Sequence, residues 1–220
     1  ALPATLTLRE EMAIGTAGYA AGLAVMQLQH NGLVPGNGPV IVTGASGGVG
    51  SIAIDLLAGF GHEVIALSRK PDEGGYLAGL GAREVIAPAA LGIGSRPLEV
   101  ERWAGAVDNV GGDLLGTLLR STRAGGSVAA VGLAASGDLA VSLMPFLLRG
   151  VNLLGVNSSA TPRPRRLEVW RRLSGDLRPR HLDRIVTRTV TLEELPTVFN
   201  GYLEGTVRGR TLVRIDANAE

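Results

Sequence analysis

Residues 40–50 read VIVTGASGGVG, an apolar run that breaks into glycines, and this stretch decides the fold. A β-branched run followed by glycines predicts a buried strand, a tight turn and the start of a helix. Backbone N–H groups at such a turn, aided by the positive end of the helix dipole, bind pyrophosphate. Glycine is needed wherever a side chain would block the phosphate or the contact between helix and strand. The stretch therefore predicts the phosphate site of a dinucleotide.

Downstream of this stretch, strand patterns and helix patterns alternate. Apolar runs predict strands over residues 39–44, 63–68, 84–88, 105–112, 126–133 and 151–157. The segments between them predict helices over residues 49–62, 71–82 and 113–122. Alternation at this spacing implies right-handed crossovers between parallel strands. We therefore predict an α/β fold with a doubly wound parallel Rossmann sheet over residues 16–156.

The last part of the chain, residues 157–220, departs from this alternation. Residues 161–177 predict a helix with one apolar face formed by Leu167, Trp170, Leu173 and Leu177. A strand, a helix and a final strand follow in the pattern. The pattern of residues 157–220 therefore predicts a smaller α+β unit beside the sheet.

Composition excludes several kinds of site and partner. Hydrophobic residues make up 45% and charged residues 19% of the 220 residues, the balance of an ordinary globular protein. A formal net charge of +1 gives no reason to expect a nucleic-acid partner. The chain has no cysteine and three histidines, which excludes disulfides and thiolate chemistry and argues against a metal site.

Residues 12–54 contain no charged side chain, and part of this stretch is nearly long enough to cross a membrane. Glycine and alanine dilute its hydrophobicity, however, and Gln27, Gln29 and His30 interrupt it. We therefore predict a buried helix that packs closely on a neighbour, and no membrane partner. A basic region followed by a hydrophobic core is not evident either, so we expect a cytoplasmic protein.

The end of the second predicted strand bears on the choice of cofactor. An NAD site usually has Asp or Glu about 20 residues after the glycine turn, where it binds the ribose 2′-hydroxyl. This chain has Ser68, Arg69 and Lys70 instead, and Lys70 is its only lysine. A hydroxyl and two cations bind a 2′-phosphate through charge-assisted hydrogen bonds. The pattern favours NADP(H), although an exposed basic turn without a ligand would also fit it.

The glycine turn alone fits two classes of oxidoreductase. Residues 43–50 also match T-G-x-x-x-G-x-G, the turn of short-chain dehydrogenases. Those enzymes need a Tyr-x-x-x-Lys pair, because the lysine lowers the tyrosine pKa for proton transfer. The residues four places after the three tyrosines are Leu23, Leu80 and Thr206. The catalytic pair is absent, so the short-chain class is excluded.

The remaining pattern resembles the medium-chain dehydrogenase/reductase superfamily, and within it the zinc-free acrylyl-CoA reductase and quinone oxidoreductase branch. The stretches that carry the resemblance are EMAIGTAGYAA (11–21), VTGASGGVGS (42–51), YLAGLGA (76–82), RPLEVERWAGAVDNVGG (96–112), VAAVGLA (128–134), MPFLLRGVNLLGVNS (144–158) and GRTLVRI (209–215). They cover essentially the whole chain. RWAGAVDNVGG and MPFLLRGV are the most specific of them.

The resemblance implies NADPH-dependent reduction of the carbon–carbon double bond of a short enoyl-CoA, such as acrylyl-CoA, or of a quinone-type substrate. It implies cofactor contacts in four groups: Ser46, Gly47, Gly48 and Val49 at the pyrophosphate; Ser68, Arg69 and Lys70 at the 2′-phosphate; Leu133, Leu147, Asn157 and Ser158 along the nicotinamide half; and Arg210 near the end of the chain. Asn157 stands where relatives often have Asp, and core packing would equally explain the two leucines. No catalytic residue is assigned.

Relatives of this kind carry a GroES-like substrate domain ahead of the Rossmann domain. The resemblance implies that residues 1–15 are a hand-over segment from that domain and that residues 157–220 are its C-terminal part. The chain is then either a fragment of a larger enzyme or a shortened protein. The alternative function is a non-catalytic NADP(H)-binding module or a redox-responsive partner of another protein.

Two further expectations concern partners. The segment 163–184 carries eight arginines, which could contact the phosphates of CoA or another polyanion, but a solvated helix face is the favoured interpretation. The resemblance also implies a homodimer formed through the sheet edge at residues 151–156.

Overall fold

A parallel sheet of six strands forms the centre of the protein. The computed structural model describes residues 5–70, 74–92, 94 and 96–215. The strands are β1 (Val40–Thr43), β2 (Val64–Leu67), β3 (Ala82–Ile86), β4 (Trp103–Asp108), β5 (Thr122–Ala130) and β6 (Asn152–Gly155). Their order across the sheet is β3-β2-β1-β4-β5-β6. The predicted doubly wound Rossmann sheet is confirmed, and its strand order reverses between β1 and β4.

Helices cover both faces of this sheet, which is why its central strands are apolar on both sides. Every residue of β1, β2 and β4 is buried. The helices are α1 (Leu8–His30), α2 (Gly48–Gly59), α3 (Gly74–Ala78), α4 (Pro88–Leu91), α5 (Gly112–Ser121) and α6 (Met144–Arg149). The sequence pattern did not predict α4 or α6. The first residues of the predicted helix 71–82 lie outside the described residues.

The long helix α1 packs against α2, as its small residues predict. A Cβ atom on Gly18 would lie 3.2 Å from Ile52 Cδ1 of α2, so glycine permits the close approach of the two helices. The helix bends at Gly15, whose φ of 48° and ψ of −153° are not helical. Among the described residues, no helix combines the length and the apolar character that crossing a membrane requires.

A capping box fixes the first turn of α1. The Thr7 hydroxyl accepts a hydrogen bond from the Glu10 backbone N–H at 3.2 Å, and Thr7 N–H donates to the Glu10 carboxylate at 2.9 Å. The hydrogen bond from the Thr7 N–H holds the pKa of the Glu10 carboxyl below its usual range, and the hydrogen bond from Arg178 adds to this effect. Because Arg178 lies far along the chain, this contact also ties the start of α1 to the C-terminal part of the protein.

Beyond β6 the chain forms a smaller unit of helices and two parallel strands. Its elements are α7 (Arg163–Leu173), α8 (Leu182–Ile185), β7 (Val186–Thr191), a 3₁₀ turn (Leu195–Val198), α9 (Phe199–Leu203) and β8 (Arg210–Arg214). Strands β7 and β8 pair with each other in parallel. The predicted α+β character is confirmed.

The apolar face of α7 differs from the predicted one. Leu173 and Val169 are buried, and Leu173 packs beside Gly22 of α1. Leu167 is 55% exposed. At about 100° per residue, Leu167 lies roughly 200° around the helix from Val169, away from α1. The inclusion of Leu167 in the apolar face was therefore wrong.

Every strand of the sheet ends earlier than the sequence pattern predicts, and β4 and β5 do so by four and three residues. Strand β4 ends at Asp108 rather than at residue 112, because the Asp108 carboxylate accepts the Gly111 N–H at 2.8 Å and turns the chain. Gly111 and Gly112 have φ values of 75° and 59°, which glycine adopts readily and a strand does not. Strand β5 ends at Ala130, so Leu133 follows the strand instead of ending it.

Candidate dinucleotide site

The glycine turn between β1 and α2 has the geometry of a phosphate cradle. Gly44 takes a φ of 56°, and its carbonyl accepts the Gly47 N–H at 3.0 Å. Helix α2 begins at Gly48, and its N-cap residue Gly47 supplies no side-chain hydrogen bond. The first N–H groups of α2, around Gly48 and Val49, therefore point out of the helix end without a side-chain cap, as a bound phosphate requires.

Two glycines of the turn serve packing. A Cβ atom on Gly50 would overlap the Gly44 carbonyl oxygen and lie 2.8 Å from Ala45 Cα. A Cβ atom on Gly48 would lie 2.9 Å from Arg210 Cδ and 3.3 Å from Ala17 Cβ. Glycine at these positions thus lets α2 start directly against the turn and against two neighbouring segments.

The basic turn after β2 folds back onto the glycine turn. Ser68 is buried, and its hydroxyl accepts the Lys70 N–H at 3.1 Å. Lys70 Nζ donates to Ser46 Oγ at 3.4 Å and to the Val207 carbonyl at 3.1 Å. Arg69 is exposed. The structure therefore brings together the two groups of residues that the sequence assigns to the pyrophosphate and to the 2′-phosphate.

The segment before β8 packs against the glycine turn and against α1. Gly209 N–H donates to the Ser46 carbonyl at 2.8 Å. Arg210 runs past Gly48 and its Nε donates to the Ala13 carbonyl at 3.2 Å, close to the bend of α1. The structure thus places Arg210 beside the start of α2, next to the glycine turn.

A buried polar network beneath the turn was not found from the sequence. Thr43 Oγ1 donates to Asp108 Oδ1 at 2.6 Å, and Asn109 Nδ2 donates to the Thr43 carbonyl at 2.7 Å. Burial raises the pKa of Asp108, against the lowering effect of its hydrogen bonds from Thr43, Gly111 and Val110. The network joins the ends of β1 and β4, where the strand order reverses. The VDNVGG pattern after a buried strand is the signal that could have revealed it.

The four residues expected along the nicotinamide half lie in different settings. Leu133 follows β5 and is 69% exposed, and Asn157 and Ser158 follow β6. The Asn157 side chain accepts the Ala160 N–H at 3.0 Å, so it already caps a local turn. Leu147 lies on α6 and is 77% exposed. Their contact with a cofactor stays a prediction.

Half of the arginines in the segment 163–184 form ion pairs with carboxylates. The pairs are Arg165–Glu168 at 2.9 Å, Arg172–Asp176 at 2.7 Å, Arg178–Glu10 at 2.5 Å and Arg180–Asp55 at 3.4 Å. Asp55 is fully buried and also accepts the Arg180 and His181 N–H groups, which fixes this segment against α2. These contacts favour a structural role over polyanion binding. Within the described ranges, no group of three or more His, Cys, Asp or Glu side chains could hold a metal ion.

Comparison with known proteins places this geometry among dehydrogenases and reductases. The family profile "Zinc-binding dehydrogenase" matches residues 48–174. Acrylyl-CoA reductase AcuI of Ruegeria pomeroyi is 48% identical over 98% of the chain, which spans 66% of that protein. The chain thus spans just under two thirds of the length of this relative.

Two solved structures share the fold closely. The yhdH oxidoreductase of Salmonella enterica in complex with NADP superposes with a TM-score of 0.94 at 45% identity, over 98% of this chain and 66% of that one. The Bacillus subtilis protein yhfP with NAD bound has a TM-score of 0.94 at 44% identity, over 97% of this chain and 65% of that one. Cofactor identity therefore differs between these two crystal structures.

Proposed function

The chain belongs to the zinc-binding dehydrogenase family, within the medium-chain dehydrogenase/reductase superfamily, and on that premise we propose that it supplies the NADP(H)-binding part of a reductase. The substrate class is the carbon–carbon double bond of a short enoyl-CoA of the acrylyl-CoA type, or a quinone. In this proposal residues 16–156 form the cofactor domain. Residues 1–15 are the hand-over segment that leads from a substrate domain into it, and residues 157–220 are the C-terminal part of that substrate domain.

One observation carries the proposal: Lys70 connects the basic turn to the glycine turn through its contact with Ser46. The uncapped start of α2 suits a pyrophosphate, and Ser68 with Arg69 and Lys70 suits a 2′-phosphate some distance along the same ligand. The residues present therefore fit NADP(H).

The chain's own residues bind and orient the cofactor. NADPH, when bound, supplies a hydride for reduction of the substrate. The uncapped backbone N–H groups of Gly48 and Val49 would hold the negative charge of the pyrophosphate, and the Thr43–Asp108–Asn109 network keeps the adjoining strand ends in register. No residue of the described chain is assigned to proton delivery.

The 2′-phosphate assignment is tested by changing both cations. The double variant Arg69→Ala, Lys70→Ala is expected to weaken NADPH binding by about 100-fold or more while NADH affinity changes little, because each charge-assisted hydrogen bond contributes roughly 1.5–3 kcal/mol. Fluorescence titration of the reduced cofactors measures both dissociation constants. Equal weakening of NADPH and NADH would refute the assignment.

Turnover decides between an enzyme and a non-catalytic binding module. The chain is mixed with NADPH and either acrylyl-CoA or a quinone, and NADPH oxidation is followed by absorbance. Oxidation that depends on the added substrate supports the reductase and eliminates the module. If the chain binds NADPH but oxidises none with either substrate, the reductase proposal fails for this polypeptide and the module is favoured.

We further propose that two copies associate through the edge strand β6. Leu153 of β6 and Leu147 and Leu148 of the adjoining helix α6 are exposed apolar side chains beside this edge. An open strand edge with apolar flanks favours pairing with another edge. Analytical ultracentrifugation should find a dimer that Leu153→Lys dissociates, whereas Leu203→Lys, at an exposed leucine of α9, should leave it intact. A monomeric unmodified chain contradicts the proposal.

A further inference from the structure

A recess of about 230 Å³ lies at the end of the sheet where the parallel strands begin. Its walls come from the loop between α1 and β1 and from residues 123–127 of β5. The glycine turn lies at the opposite end of the sheet, beyond the six residues of β4, which span about 20 Å. We call this depression the basal recess, and it shares no residue with the candidate dinucleotide site.

One wall of the basal recess is formed by Arg123, a half-buried arginine of β5. Its Nη1 donates to the Asn37 carbonyl at 2.7 Å. A Cβ atom on Gly38 would lie 3.1 Å from Arg123 Nη2, so glycine at this position makes room for the guanidinium. The guanidinium is therefore held between the start of β5 and the loop before β1.

The charge of Arg123 has no carboxylate partner in the part of the chain that the structure describes. A guanidinium has five N–H donors, and the bond to Asn37 is the only hydrogen bond of Arg123 with a described residue. Glu101 contacts the next residue, but its Oε2 accepts the Ala124 N–H at 3.0 Å and its Oε1 pairs with Arg149 at 3.4 Å. A cation that lines a recess without a protein carboxylate suits a bound anion.

The rest of the lining is partly apolar and partly polar. Leu33 and Ala104 line the basal recess and are buried, and a Cβ atom on Gly105 would lie 3.3 Å from Leu33 Cδ1. Asn37 is exposed, and its side-chain amide makes no hydrogen bond with a described residue. Gly125 has a φ of 74°, and no described atom lies within 4 Å of its Cβ position. The basal recess thus combines a cation and an amide donor with an apolar floor.

We propose that the basal recess binds a short-chain carboxylate. The carboxylate group pairs with the planar fork of Arg123 and with the Asn37 amide, while the aliphatic part lies against Leu33 and Ala104. Pockets for drug-sized ligands occupy about 300–1,000 Å³, so this smaller recess suits a molecule of a few carbon atoms. Inorganic phosphate would match the charge but leave the apolar floor in contact with water. This site is independent of the proposed reductase function, and either can fail without the other.

The competing interpretation is that Arg123 only ties the loop before β1 to β5. In that case a substitution of Arg123 lowers the free energy of unfolding, and carboxylates bind to the chain no better than chloride does.

The test titrates butyrate, acetate, phosphate and chloride into the ¹⁵N-labelled full chain at constant pH and ionic strength, and follows the Gly125 and Gly126 amide signals by NMR. Butyrate should shift both signals saturably and bind roughly tenfold more tightly than acetate, because two further CH₂ groups leave water. Arg123→Gln should weaken butyrate binding at least about tenfold, as loss of a charge-assisted hydrogen bond implies. The matched control Arg214→Gln removes an exposed arginine of β8 and should leave the affinity unchanged.

Each outcome decides a different statement. If butyrate gives no saturable shift, or if Arg123→Gln leaves its affinity unchanged, the inference is overturned. If phosphate binds as tightly as butyrate, or acetate does, the apolar floor takes no part and the assignment to short-chain carboxylates is wrong.

Thermal unfolding shows whether each variant is folded. If Arg123→Gln is not, Arg123→Lys takes its place, because lysine keeps the charge but lacks the planar fork. A loss of butyrate affinity in that variant, with chloride and phosphate unaffected, supports the inference, and an unchanged affinity overturns it.

Discussion

At Gly50 the glycine turn has no room for even a single methyl group. Gly50→Ala places a Cβ atom against the Gly44 carbonyl and Ala45 Cα, and overpacking of this kind costs about 1–3 kcal/mol. We expect urea denaturation to find that loss, together with a reduced affinity for NADPH. Gly75→Ala is the control, because none of the described residues lies within 4 Å of its Cβ position and alanine in a helix stabilises by roughly 0.5–1 kcal/mol. Similar stability of the two variants would contradict the prediction.

The buried Asp108 carboxyl makes stability depend on pH in an unusual direction. Its pKa is raised in the folded protein, so its contribution is fully present below the unfolded value of 3.8 and is lost as pH rises through the folded pKa. Asp108→Asn lacks this titration. We therefore expect the free energy of unfolding of the unmodified chain, minus that of the variant, to fall as pH rises from about 4.

Urea denaturation of both proteins between pH 4 and pH 8 measures this difference. Other titrating groups are common to the two proteins and cancel when one free energy is subtracted from the other. A difference that stays constant, or that grows with pH, would show that burial does not dominate the environment of Asp108.

The sequence predicts the residues of the site that sit on regular local patterns. Gly47, Gly48 and Gly50 follow a strand and precede a helix, and Ser68 to Lys70 end the next strand, so their placement follows from the order of elements. Asp108 was not found, because its partner Thr43 lies 65 positions away in sequence, although the VDNVGG pattern after the strand could have drawn attention to it.

At the scale of elements, the capping box of α1 gives a direct test. Thr7→Ala removes the hydroxyl that accepts the Glu10 N–H, and loss of an N-cap side chain costs about 1 kcal/mol. Thr7→Ser keeps the hydroxyl and should retain most of the stability. Chemical denaturation of the three proteins measures both changes. Equal losses in the two variants would mean that the methyl group of Thr7, and not its hydroxyl, matters.

The existence of a strand or helix was predicted well where the apolar periodicity is strong. The residue at which it ends was predicted less well where a side-chain contact determines that end. The six strands of the parallel sheet follow from the alternating patterns of the sequence. The end of β4 depends on the Asp108 carboxylate and on two glycines with positive φ, which look from the sequence like a continuation of the strand. The outward position of Leu167 depends on which face of α7 meets α1, and that is a property of packing.

At the scale of the whole molecule, the proposed cofactor site is lined by the turns of the Rossmann sheet and by the segment before β8 in the C-terminal unit. A ligand that contacts both should stabilise them together, by about 2.7 kcal/mol when its concentration is 100 times its dissociation constant. We expect NADPH to raise the midpoint of one common unfolding transition, followed by calorimetry. At the same concentration NADH should raise it less. Two separate transitions, of which NADPH shifts only one, would contradict a shared site.

The hydrogen bond from Arg210 to the Ala13 carbonyl has a consequence for how the chain folds. The two residues are 197 positions apart, and Glu10 and Arg178, which also meet, are separated by 168. Contacts that close such long loops raise the contact order and slow folding. During synthesis, α1 emerges before β8, so the bend of α1 gains its contact with Arg210 only after β8 has been made. The apolar surface of α1 that α7 covers in the finished protein stays exposed until α7 has been synthesised, and exposed apolar surface of this kind favours aggregation or chaperone binding.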